Sequence, residues 1–308
     1  MTTTSPAAPL ARPLSTTTVA VVAHNRKVLG GGLGELREVL ARHGVDDPLW
    51  FEVQKSSLAP ARIRKAISHG AELILVWGGD GTVQRCIDAS VGAPCTLAIL
   101  PAGTANLLAT NLGIPHDLER AVNIALHGAS RVIDVGKING EHFAVMAGSG
   151  FDALMIRDAD RSLKDRFGRT AYVWTGARNL RHKAVETKIK IDGDTWFEGD
   201  ATCVLVGNVS DISGGITAFD HARPDDGRLD IAVVTATGAI QWTRTLARAA
   251  LGHADRSPMV HVTTAARIKV TTAKAVPYEL DGGARRKIDR LSIKVVPRAV
   301  TIRVATLT

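Results

Sequence analysis

Five apolar residues, Leu73–Trp77, run straight into Gly78-Gly79-Asp80-Gly81-Thr82. A short continuous apolar run predicts a strand buried on both faces, as in a parallel sheet. Two glycines end it, where a residue without Cβ lets the chain turn sharply or approach a ligand closely. Val83–Ala89 then reads as a helix. A strand, a glycine loop and a helix together turn free backbone N–H groups and a helix N-terminus toward an anion. Asp80 is the one carboxylate in the loop, and a carboxylate beside such a nest suits a metal ion that accompanies a phosphate. Thr82 offers an N-cap or a hydroxyl for phosphate. An Asp-Gly pair also makes tight turns, so the pentapeptide alone leaves both readings open.

A second unit follows closely. Thr96–Leu100 predicts another buried strand, followed by Pro101-Ala102-Gly103-Thr104-Ala105-Asn106 and a helix over Asn106–Leu112 that Gly113 and Pro115 stop. Two neighbouring strand–turn–helix units put both loops on the carboxyl edge of a parallel sheet, where ligands bind. The same alternation begins earlier, with a strand over Val19–Ala23 and helices over Gly34–His43 and Pro60–His69, and it ends with a helix over His116–His127. Repetition of this kind predicts a doubly wound α/β domain over residues 18–134.

From Arg131 onward strand patterns dominate: Lys188–Ile191, Thr202–Val206, Leu229–Val234, Arg267–Val270 and Leu291–Val296. Helices interrupt near Leu163–His182 and Ala239–Leu251. This composition predicts an antiparallel β-sandwich over residues 135–297. Residues 1–17 are rich in Thr, Ser, Pro and Ala and predict a disordered tail without a signal-peptide core.

A chain of 308 residues can bury one large core or two. Its formal net charge of +8 favours an acidic partner, such as nucleotide, nucleic acid or anionic lipid headgroups. Aromatic residues make up 4%, which leaves little material for stacking single-stranded nucleic acid, and no nucleic-acid partner is expected. Cys86, Cys95 and Cys203 are widely spaced and predict buried free thiols in a reducing compartment. The ten His show no metal-ligand spacing, and His24 stands apart by location only. No stretch reaches the ~18 apolar residues that span a bilayer, so membrane contact is expected to be peripheral.

Gly-Gly-Asp-Gly-Thr followed by Pro-Ala-Gly-Thr-Ala-Asn resembles the diacylglycerol kinase catalytic-domain family, which includes bacterial soluble lipid kinases and sphingosine and ceramide kinases. The likeness continues through Gly150-Phe151-Asp152-Ala153, Gly207-Asn208, Gly214-Gly215, Ala222, Asp225-Asp226-Gly227-Arg228-Leu229-Asp230 and Asp281-Gly282, in family order from roughly Val19 to Val304. The resemblance implies a two-domain layout with the site in the interdomain cleft and a last strand, near Ala299–Val304, returning to the first domain. It implies transfer of the γ-phosphoryl of ATP to a lipid hydroxyl, diacylglycerol-like by default, with Mg²⁺. It also implies a cytoplasmic protein that visits the inner face of an anionic membrane, as a possible homo-oligomer.

Phosphoryl transfer needs a phosphate cradle, a divalent ion and a base at the acceptor hydroxyl. Backbone around Gly78, Gly79 and Gly81, with Thr82, is the expected cradle. Asp80 is the expected Mg²⁺ residue, while Thr104, Asn106 and Asn25 are expected to orient nucleotide. Asp226, with the Arg223 and Arg228 carbonyls, corresponds to a structural cation site in the family. Three departures stand out. The family's Asn-Pro-x-Ser-Gly is here Asn25-Arg26-Lys27-Val28-Leu29-Gly30, so Arg26 or Lys27 becomes either a phosphate-binding cation or solvated surface charge. Its Gly-Thr-x-Asn-Asp has Leu107 in last place. Its late Asp-Gly-Glu, whose Glu is the proposed base, is here Asp281-Gly282-Gly283, which makes Asp281 either base, metal-organising group or turn residue. An NAD kinase-like enzyme and a catalytically impaired nucleotide-binding regulator are the alternatives. The stretch Arg157–Lys183 carries eight Lys/Arg against three Asp, either as a solvated face or as a membrane contact.

Overall fold

The computed structural model describes residues 17–149, 184–213, 216–250, 253 and 256–306. The helix expected over Leu163–His182, the Gly150–Ala153 segment, Gly214-Gly215 and the basic run Arg157–Lys183 lie outside these residues, as do all but the last residue of the expected tail.

Four strands form a parallel layer. They are β1 (Val19–His24), β2 (Leu49–Val53), β3 (Leu73–Gly78) and β4 (Thr96–Pro101), and they pair in the order β2-β1-β3-β4. β1 and β3 are buried at every position, as strands covered on both faces must be. The covering helices are α1 (Leu33–Arg42), α2 (Ala59–Ser68), α3 (Asp80–Ser90), α4 (Leu107–Asn111) and α5 (Leu118–His127). α5 shows why such segments form. Leu118, Ala121, Val122, Ala125 and Leu126 make one buried stripe, and Asp117 caps the start through Oδ1, which accepts from Arg120 N at 2.9 Å. α1 packs with α5, and α2 with α3. Strand order reverses between β1 and β3, so the loops leaving those two strands diverge and open a crevice at the carboxyl edge.

Two boundaries differ from the sequence expectation. α3 starts at Asp80 rather than Val83, with Gly79 as its N-cap, so Gly81 and Thr82 belong to the helix's first turn. A carboxylate is favoured there by the helix dipole. α4 starts after Asn106, whose φ of 49° is left-handed and therefore non-helical.

The remaining strands build a β-sandwich-like domain. One layer is β14 (Val260–Ala265), β13 (Leu229–Val234), β10 (Cys203–Gly207), β7 (Met146–Ser149) and the end of β15 (Arg267–Leu280). The other is β9 (Asp194–Ala201), β8 (Val185–Ile191), the start of β15, β16 (Gly283–Val304), β5 (Ala129–Ile138) and β6 (Glu141–Phe143). All of these pairings are antiparallel. β15 crosses between layers where its register with β16 shifts, between Thr271 and Tyr278. Val204, Val206, Leu229, Ile231 and Val233 from the first layer meet Ile138, Ile189, Ile268, Val270, Leu291 and Ile293 from the second. A short β11 (Asp211–Ser213) pairs with β12 (Ile216–Thr217), and α6 (Gly238–Ala250) sets Trp242 against Cys203, Val234 and Ala236.

Near its end β16 joins the parallel layer, with Thr301 opposite Thr96 and Ile302 opposite Leu97 of β4. Hydrogen bonding therefore runs without a break from β2 to β14. Among the described residues no helix is long and apolar enough to cross a membrane.

Candidate active site

β3 and β4 stay in register to their last residues, Gly78 opposite Pro101, so the two glycine-bearing loops leave the sheet side by side. Their contact is backbone on backbone. A Cβ on Gly103 would lie 2.4 Å from Gly79 Cα, closer than real Cβ contacts allow. Gly78 is covered by Thr82, whose Cβ would be 2.6 Å from an added methyl. Replacing Gly103 by Ala is expected to push the loops apart. The expected cost is ~1–3 kcal/mol, as for other overpacked sites, read as a lower melting temperature together with a raised KM for nucleotide. Unchanged values for both would show that the close approach is not required.

Thr82 is itself buried, and its hydroxyl lies 2.9 Å from Ser56 Oγ in the short turn Ser56–Leu58. The hydroxyl thus braces the loop from behind, where the sequence suggested a group facing phosphate. Gly81 has open space around its Cα and is exposed.

Asp80 is bound to the neighbouring loop. Its Oδ2 accepts from Asn106 N at 3.0 Å and its Oδ1 from Leu107 N at 2.5 Å. Burial pushes its pKa up, while the bonds from Leu107 and Asn106 and the charge of Lys27 oppose that rise. Asn106 is similarly committed. Its side-chain oxygen accepts from Gly103 N at 2.9 Å, and its Nδ2 donates to Pro101 O and Gly103 O at 3.1 and 3.0 Å. The sequence suggested an amide orienting nucleotide, but in the structure both of its hydrogens go to the loop backbone. Thr104 is exposed at the tip of that loop.

Beyond β1, Asn25 is exposed and its N–H donates to Val53 O at 3.0 Å. Of the two candidate cations, Lys27 is the one whose charge reaches Asp80. Its carbonyl accepts from Trp77 Nε1 at 3.0 Å, which fixes this loop to the end of β3. His24 is buried, and burial followed by the charge of Lys27 lowers its pKa.

Asp281 and Gly282 form the two-residue turn between β15 and β16, with φ of 43° and 77° as such hairpins require. The turn reading holds, and the carboxylate does more than turn the chain. It is buried, with Oδ2 accepting from Ala144 N and Oδ1 from Val145 N and Met146 N, all at 2.8–2.9 Å. Burial pushes its pKa up to about 6 against those three bonds, and the charge of Asp80 adds to the rise. The fold therefore sets two carboxylates that lie far apart in sequence within electrostatic reach of each other. Gly283 does not have a left-handed φ, but a Cβ there would meet Arg285 Nη1 at 2.8 Å.

Residues 141–146 tie the hairpin that carries Asp281 to α3, which carries Asp80. Glu141 takes Arg285 Nε and Nη2 at 2.8–3.0 Å. His142 Nδ1 lies 2.8 Å from Asp88 Oδ1 of α3, and Gln84 Nε2 of α3 donates to His142 O at 2.6 Å. Single charged residues of this kind carry no motif, so sequence reasoning did not find Glu141, His142 or Arg285.

Asp226 is exposed. Its Oδ1 accepts from Arg228 N at 2.9 Å, and it borders an open hollow of about 510 Å³ lined also by Asp220, His221, Ala222 and Arg223. Burial, then the charge of Asp226, raises the pKa of nearby Asp230 to about 6. Among the described residues no three His, Cys, Asp or Glu side chains are grouped to hold a metal.

Comparison with known proteins agrees with this architecture. The family model described as Diacylglycerol kinase catalytic domain matches residues 30–138, and that of the YegS C-terminal NAD kinase beta sandwich-like domain matches residues 145–304. A Bacillus subtilis (strain 168) protein named diacylglycerol kinase is 30% identical over 227 residues, covering 71% of this chain and 73% of its own. A Yersinia pestis (strain Pestoides F) protein named "Probable lipid kinase YegS-like" is 27% identical over 292 residues, 91% of this chain and 96% of its own. A crystal structure of a diacylglycerol kinase from Bacillus anthracis str. Sterne superposes with a TM-score of 0.74 at 24% identity, covering 93% of this chain and 96% of that one. An NAD kinase from Archaeoglobus fulgidus in complex with ATP shares the fold, with a TM-score of 0.53 at 12% identity over 92% of each chain.

Proposed function

Since the chain belongs to the diacylglycerol kinase catalytic-domain family, we propose that it is a lipid kinase that transfers the γ-phosphoryl of ATP to a lipid hydroxyl, diacylglycerol-like by default. The observation that carries this reading is the backbone contact of the two glycine loops, which fixes Asp80 on the N–H groups of Asn106 and Leu107, with its charge acting on buried Asp281. The start of α3 and Lys27 supply N–H groups and a cation for the nucleotide phosphates. Thr104, at its exposed loop tip, and Asn25 border the same edge.

Two carboxylates whose charges act on each other in a buried setting suit a divalent cation. Each Asp80 oxygen, and Asp281 Oδ2, accepts one N–H from a neighbouring residue's backbone and retains acceptor capacity. Asp80 would hold Mg²⁺ through water, since this ion keeps several waters. When bound, the ion would neutralise charge on the transferring phosphoryl group. Asp281 Oδ2 would take the proton of the lipid hydroxyl as the lipid oxygen bonds to the γ-phosphorus and the bond from that phosphorus to the bridging oxygen of ADP breaks. Burial raises the pKa of Asp281, to about 6 without the ion, in the direction that suits a base working near neutrality. Asp226 and the carbonyls of Arg223 and Arg228 are proposed as the structural cation site, supported by family likeness alone.

The test is a labelled-ATP assay against a panel of lipids and NAD, with Mg²⁺ and with chelator. Phosphorylation of a lipid and not of NAD is the expected outcome. Transfer to NAD alone, or to nothing, would overturn the proposal.

A further inference from the structure

We infer that the outward face of the sandwich layer formed by β8, β15, β16 and β5 docks on an anionic lipid bilayer, an inference that rests on the lipid-kinase reading. Register defines the face. Lys190 lies opposite Lys269, Arg267 opposite Lys294, and Lys294 opposite Lys137, while Thr271 sits between Lys188 and Arg290. Directly opposed residues share a side of the sheet, and their strand neighbours Ile138, Ile189, Ile268, Val270, Leu291 and Ile293 all point into the core. The cations are exposed apart from Lys137, which is half-buried.

Lys188 is neutralised by Glu198 at 2.7 Å. Glu198, Glu186 and Asp200 lie together at the β9 margin of the face. Among the described residues Lys137, Lys190, Arg267, Lys269, Arg290 and Lys294 make no side-chain ion pair. Like charges directly opposed across strands destabilise a sheet, and this face holds three such cationic pairs side by side. An external sheet of phosphates relieves that repulsion. A broad β face with cations in rows and no aromatic side chain among them matches a bilayer better than a nucleic-acid strand, which would use stacking platforms.

The experiment uses the full chain carrying Lys190→Gln, Lys269→Gln and Lys294→Gln together. Binding is measured to vesicles of phosphatidylcholine with and without phosphatidylglycerol, and to duplex DNA, at low and high salt. Each cation near an anionic surface strengthens partitioning about fivefold, so three removals should weaken binding to the anionic vesicles by about 10²-fold. Wild-type binding should itself fall with salt. The melting temperature of the triple variant should hold or rise, because repulsion is relieved. The inference is overturned if wild type binds neutral and anionic vesicles alike, if the triple variant binds anionic vesicles as wild type does, or if the substitutions weaken only DNA binding. Phosphorylation of lipid in detergent micelles separates the two readings. Vesicle binding through these residues without kinase activity on any lipid removes the lipid-kinase reading and leaves the docking face. Micellar activity with unaltered vesicle binding in the variant does the reverse.

Discussion

Asp281→Asn is expected to lower kcat for lipid phosphorylation by ~10²–10⁴-fold, the usual worth of a general base. The change will not be structurally silent. All three groups facing the carboxylate are N–H donors, so an amide must turn its own NH₂ toward at least one of them. A lost bond and an unpaired buried donor cost ~1–3 kcal/mol, so the variant should also melt lower. Two pH profiles separate the roles. Wild-type activity should rise with pH as Asp281 ionises, over a range that bound Mg²⁺ shifts below the metal-free value of about 6, and the variant should lack that limb. For stability the sign is opposite. The folded-state pKa, about 6, is above the ordinary 3.8, so the folded protein holds the proton more tightly than the unfolded chain does. The stabilisation this provides is complete below about pH 4 and disappears as pH rises through about 6. Full activity of Asp281→Asn, measured per folded molecule at pH 7, would move the base elsewhere, with Asp152 the next carboxylate to replace.

Asp80→Ala is expected to lower turnover by ~10²–10³-fold, the range for deleting one preorganised electrostatic group from an active site. It also strips two backbone N–H groups at the start of α4 of their acceptor. Hydrogen bonds to a charged group are worth ~1.5–3 kcal/mol each, so this variant should be clearly less stable than wild type. Asp80→Asn keeps one acceptor oxygen, and comparing the two substitutions divides loop support from chemistry. If the carboxylate organises Mg²⁺, both variants lose activity, yet Asp80→Asn recovers much of the melting temperature. Wild-type turnover in Asp80→Asn at equal folded fraction would rule that role out.

Much of the parallel layer could be read from sequence because buried strands and amphipathic helices carry strong local patterns. Leu73–Trp77 and the α5 stripe are examples. β2 was not singled out, since Trp50 and Phe51 are only half-buried and the strand is brief. The loops were legible as places but less so as roles. Glycines marked where backbone meets backbone, but Thr82 and Asn106 turn inward to hold the loops together, a choice set by tertiary neighbours such as Ser56 and Pro101. The electrostatic reach of Asp80 to Asp281, and the grip of Glu141 on Arg285, depend on long-range tertiary structure that no periodicity encodes. Charge rows across β8, β15 and β16 were equally hidden, because strand register creates them.

The path of β16 also bears on the order in which the protein can be made. Thr301 and Ile302 are the partners of Thr96 and Leu97, so the parallel layer has an open β4 edge until β16, some two hundred residues further along, has been made. Pairings that span most of a sequence form late and are slow, and an unpaired apolar strand edge is a template for association with other chains. The parallel layer therefore cannot be finished as an early, separate unit of folding. Its completion is tied to the synthesis of a strand that first threads the sandwich.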